Sequence, residues 1–348
     1  MNNFFKIFLI FVPTTLIAYW FSFLPIYLFI LSALAIIPLA KFIGEATEEL
    51  TVHTGPAFGG LLNATFGNAT ELIIGIFALQ AGLIEVVKAS ITGSIIGNLL
   101  LVLGTAIFFG GIKKEKQTFN ATAAKASGST LLLAVIALVI PAIFLLTSAT
   151  PSITVVERLS IIVSVIMIFT YIASLFFSLR THKHLYTEDV GKYEARWSVP
   201  KSIVILLIAT FFVAVMSEIL VGSIEPLVQT FGWTELFIGV IFIAVIGNAA
   251  EHTSAITVAI KNKMDLALQI SIGSATQVAM FVAPALVLIS LFFGTQMNLI
   301  FNTFELIAII FSVFIVNSII EDGESNWLEG LQLLMAYFIM AVAFFFHP

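Results

Sequence analysis

A five-residue motif occurs twice in this chain, each time inside a strongly apolar segment. The copies are GNATE at Gly67–Glu71 and GNAAE at Gly247–Glu251, and they begin 180 residues apart (67 against 247). The same register continues without a gap, so that Gly93 corresponds to Gly273. A carboxylate near the middle of a bilayer costs on the order of 3 kcal/mol, and it marks a functional-site candidate. Two such groups at equivalent places predict two related halves that share one site.

Composition restricts the chain to the membrane class. Hydrophobic residues make up 60% of it and charged residues 10%, and the mean hydropathy is +1.11, whereas soluble domains are about 25% charged. The small excess of 20 acidic over 15 basic residues gives no indication of nucleic acid as a partner. Cysteine is absent, which excludes disulfides, thiolate metal sites and thiol nucleophiles. Membrane lipid is therefore the expected surrounding, and a homo-oligomer is compatible with the sequence.

The apolar runs predict an all-α integral membrane protein with about eleven transmembrane helices. They lie at 5–21, 25–47, 57–81, 84–110, 125–147, 156–179, 201–221, 234–260, 266–293, 301–320 and 327–346. We divide the chain into an N-terminal transmembrane helix (1–22), a first five-helix repeat (23–180), a linker (181–200) and a second five-helix repeat (201–348). Because five is odd, halves with one fold must be inverted relative to each other.

The basic residues predict the orientation in a cell membrane. Cytoplasmic loops of membrane proteins carry an excess of Lys and Arg. A cytoplasmic N-terminus and an external C-terminus leave chiefly Lys88 and Arg158 outside. The basic residues placed inside are Lys6, Lys113, Lys114, Lys116, Lys125, Arg180, Lys183, Lys192, Arg196, Lys201, Lys261 and Lys263.

Glu71 and Glu251 are the leading candidates for ion binding. The Gly and Asn before each Glu interrupt a helix, because Gly adds backbone freedom and Asn competes for backbone hydrogen bonds. A broken helix at membrane depth is tolerated where it lines a cavity, and its freed carbonyls can coordinate a cation. The alternative is a pair of protonated glutamic acids satisfied in helix packing, which the duplication makes the weaker interpretation.

Further polar residues supply neutral oxygen atoms near these carboxylates. Residues three or four apart share one face of a helix. This spacing places Asn68 with Glu71, Asn248 with Glu251, Ser94 with Asn98, and Ser274 with Gln277. For the serines, close helix packing is an equally good explanation. An all-oxygen set suits a hard cation such as calcium, which takes six to eight oxygen ligands.

A second set of acids lies nearer the membrane surfaces. Glu45 ends the second predicted span, Glu218 and Glu225 end the seventh, and the repeat register pairs Glu45 with Glu225. Acidic mouths concentrate cations and could relay protons, which makes these residues candidates for gating or ion access. The alternative is a solvated helix end.

At these residues the chain resembles the calcium/proton exchangers of the calcium/cation antiporter superfamily, prokaryotic type. The resemblance is strongest in GNATELIIGIFALQAGLIEVVKASITGSIIGNLLLVLG and in GNAAEHTSAITVAIKNKMDLALQISIGSATQVAMFVAP. It implies an eleven-span fold with a central site, and it places the family's acidic pair on Glu71 and Glu251. The family's amides and hydroxyls fall on Asn68, Asn248, Asn98, Gln277, Ser94 and Ser274.

The expected function is antiport, in which calcium and protons compete for one acidic pair. No catalytic residue and no cofactor are expected, since the calcium ion and the protons are the cargo. A sodium/calcium exchanger of the same superfamily is the first alternative, and a cation channel is the second. An intramembrane hydrolase is disfavoured, because the sequence holds no HExxH pair, GxSxG elbow or cysteine nucleophile.

Overall fold

The computed structural model describes residues 7–54, 62–63, 65–148, 152–182 and 195–347. Thirteen helices in these ranges are labelled α1 to α13. They are α1 Phe11–Trp20, α2 Pro25–Thr54, α3 Ala69–Gln80, α4 Ile84–Gly111, α5 Ala121–Thr147, α6 Ile153–Thr181, α7 Val199–Gly222, α8 Ile224–Phe231, α9 Glu235–Gly247, α10 Ala249–Ile260, α11 Met264–Ser290, α12 Thr303–Ile319 and α13 Trp327–Phe346. Two short strands, β1 Gln117–Thr118 and β2 Glu324–Ser325, pair antiparallel.

The protein is mostly helical and its helices are suited to a bilayer. Within the part of the chain that the structure describes, seven spans are long and apolar enough to cross one, with α7 and α8 counted together, and the bent pair α9 and α10 would make eight. Helices α3 and α12 are apolar but shorter. The eleven-span count therefore stays a prediction. The start of the predicted span 57–81, most of the linker 181–200 and the basic residues Lys6, Lys183 and Lys192 lie outside the described residues.

Both motif helices are interrupted at the predicted asparagine. The backbone angles are φ −110° and ψ 34° at Asn68, and φ −88° and ψ 11° at Asn248, and neither pair is helical. Helices α9 and α10 meet at Asn248 with a bend of 57°. The interruption predicted from Gly-Asn is confirmed in both copies.

Helices α4 and α11 form the centre of the bundle. Within their most apolar windows, 83% and 72% of residues are buried, against 22% for α6 and for α13. Large apolar side chains on the outer helices face outward, for example Phe169 and Ile339. Each central helix contains a π-helical turn, at Gly97–Val102 in α4 and at Val278–Val282 in α11. Such turns within α-helices are frequent at functional sites.

Helix α4 crosses α9 at a contact between glycines. A Cβ atom on Gly93 would overlap the carbonyl oxygen of Val240 and lie 2.7 Å from Cβ of Ala244. A Cβ atom on Gly239 would overlap Ala89. Small residues are what let two membrane helices approach this closely. The crossing fixes the position of α4 beside the second motif.

Helices α2 and α7 pack against each other along much of their length. Beyond the helical contact, Oε2 of Glu49 accepts hydrogen bonds from the backbone nitrogens of Arg196 (2.7 Å) and Trp197 (3.1 Å). Nε2 of His53 lies 2.8 Å from the carbonyl oxygen of Trp197. These bonds attach the end of α2 to the segment that leads into α7, so that the two helices form one unit.

Three loops are joined at one end of the bundle. The pairing of β1 with β2 connects the loop after α4 to the loop after α12. Lys116 forms an exposed ion pair with Glu324 at 2.6 Å, and the hydrogen bond to that carboxylate raises the pKa of Lys116 above its ordinary value. Lys114 donates to Oδ1 of Asn262 at 2.6 Å, which adds the loop between α10 and α11. Because exposed ion pairs contribute little energy, the joint depends on the whole set of bonds.

Candidate ion-binding site

A cavity of about 750 Å³, lined by both apolar and polar side chains, reaches into the bundle from one end. Helices α2, α5, α6, α10 and α11 surround it, together with residues next to the first motif. Its lining extends to Glu48, Ala126 and Leu179 near the helix ends. Four predicted ion-binding residues line the inner part, namely Asn68, Glu251, Ser274 and Gln277.

Five of the predicted residues form one buried chain of hydrogen bonds. Nδ2 of Asn98 donates to Oδ1 of Asn248 at 2.6 Å and to Oγ of Ser274 at 3.0 Å. The Asn248 amide donates to Oγ of Ser94 at 2.9 Å, and the Ser274 hydroxyl donates to Oδ1 of Asn68 at 3.0 Å. Every bond joins a residue of the first half to one of the second. The two motifs that the sequence pairs by register therefore meet in space.

The two motif carboxylates hold oxygens without hydrogen-bond partners. Both oxygens of Glu71, Oε2 of Glu251 and Oδ1 of Asn98 are buried and find no hydrogen-bond partner among the described residues. The charges of Glu71 and Glu251 lie close enough to interact. A buried carboxylate without a partner is costly, so it requires a proton or a cation. These four oxygens are the natural ligands of an ion at this place.

The carboxylates occupy different positions relative to the cavity. Glu251 lines the cavity, whereas Glu71 is packed against the second motif. A Cβ atom on Gly247 would lie 3.0 Å from Cγ and 3.3 Å from Oε1 of Glu71. A side chain at Gly247 would therefore press on the Glu71 carboxylate. This contact explains why the second motif carries glycine there.

The donor set suits a hard cation. Within the described ranges, no group of three or more His, Cys, Asp or Glu side chains could hold a metal ion. An ion bound here would take its charge balance from the two carboxylates and its remaining ligands from amide, hydroxyl or backbone oxygens. Calcium accepts such mixed oxygen sets. The Gln277 side chain is within reach, since it lines the same cavity and lies beside Gly67.

The surface acids separate into two groups. Glu45 is half-buried and lines the cavity. Glu218 and Glu225 are exposed and are absent from its lining. The two acids that the repeat register pairs, Glu45 and Glu225, therefore differ in exposure and in access to the cavity. The reason is that α2 continues unbroken to Thr54, whereas α7 ends at Gly222 and Glu225 belongs to α8.

Two features of the site were missed by the sequence analysis. Lys41 lines the cavity and its Nζ donates to Oγ of Ser254 at 3.3 Å. A lysine inside the predicted span 25–47 was a usable signal, because charged residues within membrane helices are rarely incidental. The second feature is the buried carboxylate of Glu305, which accepts from the Thr92 hydroxyl at 2.9 Å and from the backbone of Asn302 at 2.8 Å. The Asn-x-x-Glu spacing of a capping box could have indicated it.

Comparison with known proteins gives agreement over the whole chain. The family described as sodium/calcium exchanger protein matches residues 24–180 and 201–346. A Ca(2+)/H(+) antiporter of Synechocystis sp. is 49% identical, with 100% of this chain and 98% of that protein covered. The Ca(2+)/H(+) antiporter ChaA of Bacillus subtilis is 48% identical, with 91% of this chain and 92% of that protein covered. The solved structure of native YfkE is 44% identical and superposes with a TM-score of 0.87, covering 99% of this chain and 100% of that one.

Proposed function

The chain belongs to the sodium/calcium exchanger protein family, and we propose that it exchanges calcium for protons across a membrane at the site of Glu71 and Glu251. The observation that carries the proposal is the pair of duplicated carboxylates, which have buried oxygens without a hydrogen-bond partner in the described part of the chain. Relatives at 49% and 48% identity are antiporters of calcium and protons, which supports the same cargo here.

Charge balance explains how one site can serve both ions. Two ionised carboxylates are neutralised either by one calcium ion or by two protons. Because like charges in one site do not titrate independently, the two protons leave in two separate steps that belong to the pair and not to either residue. Asn68, Asn98, Asn248 and Gln277 would complete the calcium shell together with Ser94 and Ser274. Bound calcium and bound protons then exclude each other.

The repeat architecture belongs to the same proposal. The first helix stands outside two inverted five-helix repeats, 23–180 and 201–348, which a cytoplasmic linker joins. Support comes from the order of elements, since a broken motif helix is followed by a central helix in each half, α3 with α4 and α10 with α11. The cavity reaches helix ends next to Lys125 and Arg180. These are residues of the predicted cytoplasmic side, so the cavity would face the cytoplasm.

The two sides of the site support alternating access. On one side, Gly93 of α4 is pressed against α9 with no space for a Cβ atom. On the other side, its register equivalent Gly273 has no atom within 4 Å of an added Cβ among the described residues, and it lines the cavity. One side is closed where the other is open. The α2–α7 unit lies against both motif helices, and it is the proposed mobile element.

Proton-driven uptake of 45-calcium into proteoliposomes tests the function. An imposed pH gradient should drive saturable calcium uptake in the absence of sodium. Uptake that requires a sodium gradient and ignores pH would favour the sodium/calcium exchanger, and unsaturable conductance without counter-transport would favour a channel. Glu251→Gln serves as the inactive control, because it keeps the shape of the side chain and removes its charge.

A further inference from the structure

Lys41 places a positive charge inside the cavity that holds the acidic pair. It lies on α2, half-buried, and lines the cavity together with Glu251. Its ammonium donates to the hydroxyl of Ser254, which follows Glu251 by three residues on α10 and therefore shares its face. The ammonium thus lies within about one helical turn of the carboxylate.

The bond to Ser254 does not account for the lysine. A hydroxyl is a neutral partner, and even a half-buried ammonium is stabilised by opposite charge nearby. The acids that line the same cavity are Glu251 on α10 and Glu45 and Glu48 on α2 itself. Of these, Glu251 carries a buried oxygen for which the described residues offer no hydrogen-bond partner.

We propose that Lys41 is a tethered cation, whose ammonium offsets the charge of the acidic pair when the site is empty and opposes calcium when the ion arrives. The inference rests on the proposed function, because it assigns calcium to that pair. A site with two negative charges and no ion is unfavourable in a partly dehydrated cavity, and a fixed positive charge reduces this cost. The same charge repels a divalent ion, so Lys41 weakens calcium binding and favours release.

Calcium-binding isotherms of the purified full-length protein at one fixed pH test this role. We expect Lys41→Met to tighten calcium binding by about tenfold, since a unit charge near the ion is removed. Lys41→Arg keeps the charge and should bind calcium as the unaltered protein does. Lys113→Met is the matched control, because Lys113 is exposed and does not line the cavity.

Ser254→Ala separates charge from hydrogen bonding. If Lys41 acts by charge, this variant leaves calcium affinity within about twofold of the original. In transport, Lys41→Met should lower KM for calcium and also lower the maximal rate, because release becomes slower. Thermal unfolding confirms that each variant is folded, and Lys41→Gln replaces Lys41→Met if the apolar side chain prevents folding.

The result that overturns the inference is unchanged or weaker calcium binding in folded Lys41→Met or Lys41→Gln. Equal effects of Ser254→Ala and Lys41→Met would overturn it too, since they would show a packing contact. Failure of the proposed function gives a different result, namely calcium binding that survives Glu251→Gln. If Lys41→Met leaves calcium affinity unchanged while Glu251→Gln abolishes transport, the role of Lys41 is refuted and the proposed function stands.

Discussion

Replacement of Gly93 by alanine tests the closed side of the site directly. The added Cβ would lie 2.6 Å from Cα of Val240 and 2.7 Å from Cβ of Ala244, and it would overlap the Val240 carbonyl oxygen. Carbon atoms in contact prefer about 3.5–4.0 Å. Helices α4 and α9 must therefore separate by about 1 Å, because the obstructing atoms belong to or adjoin the backbone.

The expected cost follows from two opposing terms. A gap of about 1 Å forfeits a quarter to a half of the van der Waals energy across the affected contact, and overpacking of this kind costs about 1–3 kcal/mol. The cost at this crossing lies at the upper end of that range, because no side chain on either helix can rotate out of the way. Alanine in place of glycine returns about 1 kcal/mol of helix propensity. The net loss in free energy of unfolding is about 2 kcal/mol.

Gly97 provides a matched control on the same helix. A Cβ atom there meets nothing within 4 Å among the described residues, so Gly97→Ala should be neutral or stabilise by up to about 1 kcal/mol. Thermal unfolding in detergent, followed by tryptophan fluorescence, compares the two variants. We expect the midpoint of Gly93→Ala to fall by about 3 °C. Equal midpoints for Gly93→Ala and Gly97→Ala would refute the tight crossing.

Three further predictions concern the ions. Glu71→Gln and Glu251→Gln should each abolish calcium/proton exchange in a folded protein, and near-normal exchange in either would contradict the shared pair. Removal of one amide ligand should weaken the apparent calcium affinity by about tenfold, because the contribution of one polar group is lost. Unchanged calcium affinity in all of these variants would assign the amides to helix packing. The variants are Asn68→Ala, Asn98→Ala, Asn248→Ala and Gln277→Ala. Calcium affinity should fall between about pH 8 and about pH 5, because the empty site takes up protons that the occupied site cannot hold; a flat affinity with active transport would mean a separate proton path.

The local breaks in the helices could be predicted from sequence because they have local causes. Gly-Asn weakens a helix wherever it occurs, and the structure interrupts the chain at Asn68 and at Asn248. The shared face of Ser94 and Asn98 also follows from spacing alone, and both side chains contact Asn248. Helical periodicity was sufficient for these residues.

Other features depend on contacts that spacing does not contain. The π-helical turn at Gly97–Val102 changes the helical phase inside the packed centre, and no residue pattern marks its start. Glu225 was paired with Glu45 by register, but the break after Gly222 moves it to an exposed helix. Lys41 depends on the approach of α2 to α10. Long-range packing decides each of these cases.

The unequal placement of the two carboxylates sets an order of events. Glu251 lines the open cavity and Glu71 lies behind it against Gly247. An ion that comes in through the cavity meets Glu251 first, while it still carries most of its hydration water, and reaches Glu71 last, when that water has been shed. When the carrier turns, the proposed inverted halves exchange these parts, so the carboxylate that captured the ion is the first to release it, and Glu71, now nearer the opposite side, is the last to hold it. Arrival and departure then follow the same sequence of ligands, and the ion moves through the site in a single direction without turning back.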